Sequence, residues 1–502
     1  MDLRRILKNY FASKSNPPII EEDFLLPESK GPITKENIIK ELIDLDDAVI
    51  KDITVADESV TIIYMHSLVD LSVLQQIVLD PLYRQGIESL ELTFQTAKKI
   101  SNQELPTLIL EVLKGSTILI NLKRNLILSI NTLSAPNREP SEPESETTVL
   151  GPQYGFVESL NINLSLIRRA ICNPALKSKI FPLGTETRNE VSILYMENIA
   201  NPENVERVFY RVKNIEFQGF FGLGVLKQML EDKPYSPFPQ FGITQRVDAA
   251  VSALLDGRIL VFLNGSPEAA ICPTCFTEMF ISTEDYYNRW TTGSLLRLLR
   301  ILGFFATILL TPTYISILTF HPEVLPIELM TLLTESRARV PFPPLWEVLI
   351  IELVIEILRE AGARMPSKVG QTLGIVGGIV IGTAAVEAGL ASNILIVLVA
   401  ISALLSFMPP NFLMSNASRF VRYIFIFAAG ILGFLGQTLA FAFMINHLLN
   451  ITSLGTPYMT PFIPRSGTDL FDGLVRAPIG FFTNRKGFSR AKKSFTRPLD
   501  EE

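Results

Sequence analysis

Four glycines, Gly370, Gly374, Gly378 and Gly382, recur every four residues in a stretch almost free of charge. On a helix they share one slowly drifting face, and their missing side chains let a neighbouring helix approach closely. At about 100° per residue, Thr372, Val376, Ile379, Thr383 and Glu387 form a stripe on roughly the opposite side. Two hydroxyls, two aliphatic groups and one carboxylate are the groups that line an ion path. If several subunits surround an axis, Val376 and Ile379 would make an apolar constriction and a ring of Glu387 would favour cations. Ordinary bundle packing, with Glu387 near a water interface, accounts for the same pattern and stays open.

A second set of carboxylates lies just upstream. Leu345 to Leu358 is apolar but carries Glu347, Glu352 and Glu356, and Glu352, Glu356 and Glu360 share a helix face at intervals of four. Such a helix either lies in a membrane interface or crosses with its acids turned to protein or water. The crossing is preferred, which makes Glu352 and Glu356 intramembrane acids, costly against lipid and candidates for function. Cys272-Pro-Thr-Cys275 has the spacing of half a zinc site, but no second such pair exists and His66, His321 and His447 are scattered. No P-loop, G-x-S-x-G or H-E-x-x-H occurs, so neither an enzyme, a cofactor nor a metal is expected.

The elements that must carry these residues follow from hydropathy. Of 502 residues 48% are hydrophobic and only 19% charged, below the roughly 25% usual for a soluble chain. The deficit sits in the C-terminal half. Spans are expected at about Leu298 to Phe320, Leu345 to Leu358, Val369 to Leu390 and Asn393 to Met408. The uncharged run from Tyr423 to Pro464 exceeds the roughly 20 residues of one crossing, and reads as one long span to about Leu449 followed by a broken re-entrant segment. Arg297 and Arg300 before the first span, and Arg419 and Arg422 later, mark cytoplasmic ends. An even number of crossings keeps both termini inside. Arg485, Lys486, Arg490, Lys492, Lys493 and Arg497 form a basic tail, either solvated or lying near anionic membrane lipids. Net charge is −6, and no basic face points to nucleic acid. Met1 to Asn9 is charged with no apolar run after it, so no signal peptide is expected.

Before the spans the texture alternates strand and helix. Ser59 to Met65, Ser116 to Asn121, Val191 to Met196 and Ile259 to Leu263 read as strands. Val69 to Ile77, Leu105 to Leu113, Phe156 to Ile171 and Pro202 to Val212 read as helices. Arg168-Arg169 reads as a solvated helix end, and Asp285-Tyr-Tyr287 with Trp290 as an interfacial belt. The expected architecture is a membrane protein with two N-terminal cytoplasmic α/β domains, a polytopic α-helical membrane domain and a basic C-terminal tail. Its divisions are a flexible leader (1–30), a first α/β domain (31–133), a linker (134–150), a second α/β domain (151–290), a transmembrane helical domain (291–464) and the basic cytoplasmic tail (465–502).

Ordered motifs then carry a resemblance. Gly151-Pro-Gln-Tyr-Gly-Phe-Val-Glu-Ser-Leu160, Asn163 to Arg169, Ser236-Pro-Phe-Pro-Gln240, Leu255-Asp-Gly-Arg258, Asn264-Gly-Ser-Pro267 and Glu284-Asp-Tyr-Tyr287 occur in sequence. Glu360 to Pro366 and Gly374 to Gly382 follow in the apolar half. This series resembles the A subunits of GerA-type spore germination receptors over about 150–500. Thr244-Gln-Arg-Val-Asp248 departs from the family's usual Thr-Glu-Arg-Pro-Asp, and Asn264 replaces a frequent Asp, which puts neutral hydrogen bonds where relatives have acids. The resemblance implies a nutrient germinant receptor subunit in the spore inner membrane. It would act with a permease-like B subunit and a lipoprotein C subunit, and self-associate into a ring that releases monovalent cations. A non-conducting scaffold coupling a sensor to another channel, or a paralogue amplifying ion release, are the alternatives. No inverted repeat of the transporter kind is found.

Overall fold

The chain is described here from a computed structural model. It describes residues 33–493 except 56–57, 86–96, 102–103, 122–123, 125, 134–145, 147, 365–377, 379, 381, 465–469 and 483. The expected leader, Arg497, and the positions Gly370, Thr372, Gly374, Val376 and Ile379 therefore lie outside the described residues.

Two five-stranded antiparallel sheets build the N-terminal half. The first contains β1 (Ala48–Val55), β2 (Glu58–Met65), β3 (Lys98–Lys99), β4 (Ser116–Asn121) and β5 (Leu126–Asn131), in the order β1-β2-β4-β5-β3. The second contains β6 (Leu176–Leu183), β7 (Asn189–Met196), β8 (Gly242–Thr244), β9 (Ile259–Leu263) and β10 (Ala269–Cys272), in the order β6-β7-β9-β10-β8. The two orders are the same once the second is renumbered, so one sheet topology occurs twice in tandem. The strands expected from sequence, β2, β4, β7 and β9, are all inner ones, and the inner β5 and β10 were not anticipated. The missed β1 and β6 are edges, whose Lys51, Asp52, Lys177, Lys179 and Pro182 break the apolar alternation that inner strands show.

Helices cover both faces of each sheet. In the first domain α1 (Leu105–Leu113) starts with Pro in its first turn and buries Leu105, Leu108, Ile109 and Val112 at three- and four-residue spacing. Gly115 stops it with φ +89°, a conformation that suits glycine. In the second domain α2 (Leu160–Ala170) and α4 (Val247–Leu255) pack on one face, with α3 (Pro202–Lys213) on the other. The helix expected from Phe156 begins only at Leu160; Gly155 is instead bridged to Arg246, and Asn163 closes back on the amide and carbonyl of Val157.

The domains are locked together at Arg168. Far from being a solvated helix end, its guanidinium is fully buried and grips Asp47 at 2.6 Å through two nitrogens. Burial opposes the Asp47 charge, yet Arg168 and the hydroxyls of Ser67 and Ser178 hold its carboxyl below the usual value.

The C-terminal half is a helical bundle: α5 (Trp290–Thr319), α6 (Ile327–Arg337), α7 (Pro344–Arg364), helical residues between 378 and 387, α8 (Asn393–Leu405) and α9 (Phe412–Asn450). Two of them, α5 and α9, are long and apolar enough to cross a membrane. Straight, the 39 residues of α9 would measure about 58 Å. It is not straight. Gly433 takes φ 58° and ψ −136°, and the chain folds back so that a Cβ on Gly436 would lie 2.0 Å from the Ala428 carbonyl oxygen. The second arm then runs beside α5, with Gln437 donating to Ser316 at 2.8 Å and the Phe441 ring tilted against that of Phe305. The expected single span is thus a helical hairpin. Gly433→Ala should destabilise the bundle by about 1–3 kcal/mol, since a Cβ there meets Phe320 and the conformation is one only glycine adopts readily. Thermal unfolding of the purified protein in detergent checks this, and an unchanged midpoint would contradict it.

The expected re-entrant segment is not one either. After Asn450 the chain makes a tight pairing of Thr452–Ser453 with Thr456–Pro457 that docks on the second domain. Ser453 donates to the Gln240 carbonyl at 2.7 Å, the Thr274 amide donates to Ser453, and Arg207 donates to the Leu454 carbonyl. Polar backbone that a membrane could not satisfy is satisfied by protein.

Candidate functional site

Three groups of residues concentrate the chemistry. Inside the bundle, the four-residue spacing of Glu352 and Glu356 on α7 meets the three-residue spacing of Arg419 and Arg422 on α9. Arg422 lies 2.8 Å from Glu352 and 3.4 Å from Glu356, and both Glu352 and Arg422 are fully buried. Arg419 and Arg359 close on Glu356 at 3.1 and 3.3 Å, and Arg422 also donates to the Ser402 hydroxyl on α8. One turn earlier, Glu347 pairs with Arg337 at 3.0 Å and accepts from the Ser392 amide. Glu347, Glu352 and Glu356 therefore face protein, whereas Glu360 is exposed and pairs with Arg364. Arg419 and Arg422, expected to mark a cytoplasmic end, are instead the counter-ions that make this helix tolerable. Neither Glu352 oxygen has a well-directed hydrogen bond despite the short Arg422 distance, so charge rather than hydrogen bonding holds the pair.

The second group is the glycine helix. Ala385 is buried in the bundle against the cluster of Tyr314, Val348 and Leu395. Gly389, at φ +67°, ends the segment where a Cβ would meet the Arg339 carbonyl at 2.6 Å. Val380, Thr383 and Glu387, on the opposite side, are exposed. A Cβ on Gly378 or Gly382 would meet nothing within 4 Å among the described residues, so the close approach expected at these glycines is not made within one protomer.

The third group was not anticipated. Asp285, Arg297 and Arg300, read as belt and headgroup anchors, are drawn into a buried junction where the second domain, the start of α5 and the C-terminal tail meet. Arg300 binds Asp285 at 2.7 Å, and Arg297 reaches both Asp285 and Asp472. Tyr286 donates to Asp472 at 2.8 Å. Lys486 from the tail lies 2.6 Å from Glu278 and 3.3 Å from Asp472, and Arg258 holds Glu278 at 2.7 Å from the other side. Burial works against the Glu278 charge, but Lys486 and Arg258 hold its pKa at about 2. The same burial pushes Asp256 up against their pull.

The described part of the tail is not lying free near lipid. Phe488 is buried with the Arg258 guanidinium 5.5 Å above its ring, and the Lys492 amide donates to Ile199. A cavity of about 630 Å³ opens beside the junction, lined among others by Arg246, Glu278, Tyr286, Pro409 and Lys486. Lys486, which read as part of one solvated or lipid-facing patch, has the buried acids Glu278 and Asp472 as partners, while Arg490, Lys492 and Lys493 are exposed, a difference that spacing alone could not reveal.

Cys272 and Cys275 are both buried in the second domain, and burial pushes both thiols up, that of Cys275 to about 12. Cys172 is exposed. A thiol-directed maleimide at pH 7.5 should therefore modify one cysteine in the native protein and three after denaturation, as read by intact mass. Modification of Cys272 or Cys275 in the native state would contradict the burial.

With this geometry in place, comparison with known proteins is decisive. Residues 36–488 match the family described as Bacillus/Clostridium GerA spore germination protein. The chain belongs to this family. It is 40% identical to spore germination protein GerQA of Bacillus cereus over 475 residues, covering 92% of this chain and 94% of the relative. It is 34% identical to spore germination protein KA of Bacillus subtilis (strain 168), covering 88% and 83%. The crystal structure of the N-terminal domain of the A subunit of the Bacillus megaterium spore germinant receptor GerK3 is similar at 24% identity, with a TM-score of 0.37 over 50% of this chain and 98% of that one.

The motifs that carried the resemblance are structural in this GerA-family chain. Asn264 accepts from the Leu160 amide and so caps α2. Arg246 spans Thr148, Pro152 and Asp248, and Tyr287 donates to Asp248 at 2.6 Å. Gln245 donates its backbone amide to Glu146 near the end of the linker. Glu146 also accepts from Thr244, and burial pushes its carboxyl up.

Proposed function

We propose that this chain is the A subunit of a nutrient germinant receptor, an oligomeric germinant-gated channel that starts germination by releasing monovalent cations. The observation that carries the reading is the contrast among the bundle carboxylates. Glu347, Glu352 and Glu356 all have arginine partners within the protomer, whereas Glu387 is exposed on the same stripe as Thr383 and Val380. A carboxylate facing lipid is costly, and a ring that turns this stripe toward a water-filled axis removes that cost.

Membrane placement is supported by the large apolar side chains left exposed along the bundle, among them Leu298, Leu302, Ile401, Leu404, Phe427 and Leu439. In this reading the bundle sits in the spore inner membrane. Both N-terminal domains lie on the cytoplasmic side, with the docked tail. The role is non-enzymatic, needing no cofactor or metal. A permease-like B subunit and a lipoprotein C subunit act with it, and the junction at Lys486 is the route by which a shift of the second domain reaches α5. A trigger acts only if its binding differs between closed and open states.

Potassium-loaded liposomes carrying the purified chain, alone and with its partner subunits, test the reading. Triggered efflux is expected. No efflux in any combination would overturn the channel assignment and leave a non-conducting scaffold.

A further inference from the structure

The loop from Glu231 to Gln240 is built rigidly around an exposed aromatic. Gln240 is fully buried, and its side-chain amide closes the loop in both directions, accepting from the Lys233 amide at 2.8 Å and donating to the Lys233 carbonyl at 2.6 Å. Its own amide donates to Glu231 at 3.1 Å. The Ser236 amide returns to the Lys233 carbonyl, and the Phe238 amide donates to the Ser236 hydroxyl. A loop fixed by this many bonds holds what it presents without further ordering cost. It presents Lys233, Pro234 and Tyr235, and Tyr235 is 100% exposed.

The position of the tip is set by the bundle. The Ser236 hydroxyl is 2.9 Å from Nε2 of His447, and Phe238 packs beside the same ring. His447 lies three residues before the end of α9, whose second arm exposes Leu439 and Phe443 and then changes to the exposed polar Asn446 and Asn450. That change from apolar to polar surface marks where a bilayer's hydrocarbon would give way to headgroups. Tyrosine and lysine are the residues favoured at that level, the ring at headgroup depth and the ammonium toward phosphate.

We propose that the Lys233-Pro-Tyr235 tip is a lipid-headgroup anchor that holds the second domain against the membrane surface beside the end of α9. The proposal rests on the membrane reading of the bundle. Its occupant is the headgroup layer, because Ser236 and Phe238 seat the tip on His447, beside the end of α9 where the exposed Asn446 and Asn450 follow the exposed Leu439 and Phe443. Phe221 provides the contrast. It is 93% exposed, but it sits next to Leu223, whose amide bonds to Ser266 at the end of β9 away from the bundle.

The test uses the full chain with Cys172→Ser, leaving only the two buried native thiols. Tyr235→Cys, Phe221→Cys and Leu439→Cys are each labelled with an environment-sensitive nitrobenzoxadiazole. The proteins are placed in phosphatidylglycerol–phosphatidylethanolamine nanodiscs. Quenching is measured with a lipid carrying a shallow nitroxide and with aqueous iodide. The label at 235 should be quenched by the lipid nitroxide and several-fold less by iodide than the label at 221. Iodide quenching at 235 equal to that at 221 would overturn the anchor. So would shielding at 235 from both quenchers, which would mean that protein covers the tip. The label at 439, read with a second lipid whose nitroxide lies deep in the acyl chain, separates the two claims: if it too escapes quenching by lipid, the membrane reading fails with the anchor. If it is quenched while 235 is not, only the anchor fails.

Discussion

Lys486→Ala should lower the stability of the full-length protein by about 3–5 kcal/mol, the cost of leaving buried charge without its partner. Among the described tail residues it is Lys486 that pairs with Glu278, and it also neutralises Asp472 at the point where Arg297 enters from α5. Removing it leaves Glu278 to Arg258 alone and Asp472 to Arg297 alone. Burial works against the Lys486 charge, yet Glu278, Tyr286, Asp472 and Asp256 together push its pKa up, so it stays charged at any physiological pH. Lys486→Arg keeps the charge and should retain most of the stability. Thermal unfolding of the purified variants checks both, with hydrogen exchange over residues 484–493 reporting whether the tail has left the second domain. The pH dependence has a definite sign. Glu278 is held at about 2 against an ordinary 4.5, so its contribution is fully present above about pH 4.5 and is lost as pH falls through 2. The alanine variant should lack part of that acid-side loss.

Arg422→Ala should be comparably severe, because Glu352 would then be a fully buried carboxylate without its paired counter-ion. Glu352→Leu alone leaves Arg422 with Glu356 and should cost less. The informative variant is the pair Glu352→Leu with Arg422→Met. If the two charges serve packing only, an apolar pair of similar volume should restore stability to near that of the parent. If they also serve gating, the double variant should fold normally and yet release cations with an altered response. Unfolding in detergent and efflux from liposomes measure the two separately. A double variant as unstable as Arg422→Ala alone would show that Glu352 and Arg422 are not energetically a pair.

How much of this was legible in the sequence depends on the range of the interactions. The strands β2, β4, β7 and β9 and short helices such as Leu105–Leu113 follow from local apolar periodicity, and they appear where that periodicity puts them. The edges β1 and β6 do not, since their charges are set by being edges. The Gly433 hairpin left no signal beyond an uncharged run too long for one crossing, because one glycine among several carries the fold-back. The acids on α7 were legible as an anomaly, and their partners were legible as arginines. What joined Glu352 to Arg422 was the bundle fold, across 70 residues of chain. The junction was least visible. Asp285, Arg297 and Lys486 each have an ordinary surface reading alone, and become a buried cluster only when three distant segments converge. The duplicated strand order was also hidden, since the two domains share topology without an obvious shared motif.

The central claim is that the Val380, Thr383 and Glu387 stripe faces a cation path shared by several copies of the chain. Thiol block of a single cysteine tests it most directly. Glu387→Cys in the Cys172→Ser background is reconstituted with the partner subunits in potassium-loaded liposomes. Efflux is then measured before and after a membrane-impermeant, positively charged methanethiosulfonate. Modification at 387 should strongly reduce triggered efflux and leave the Cys172→Ser parent unaffected. Unchanged efflux after complete modification, verified by mass, would contradict it.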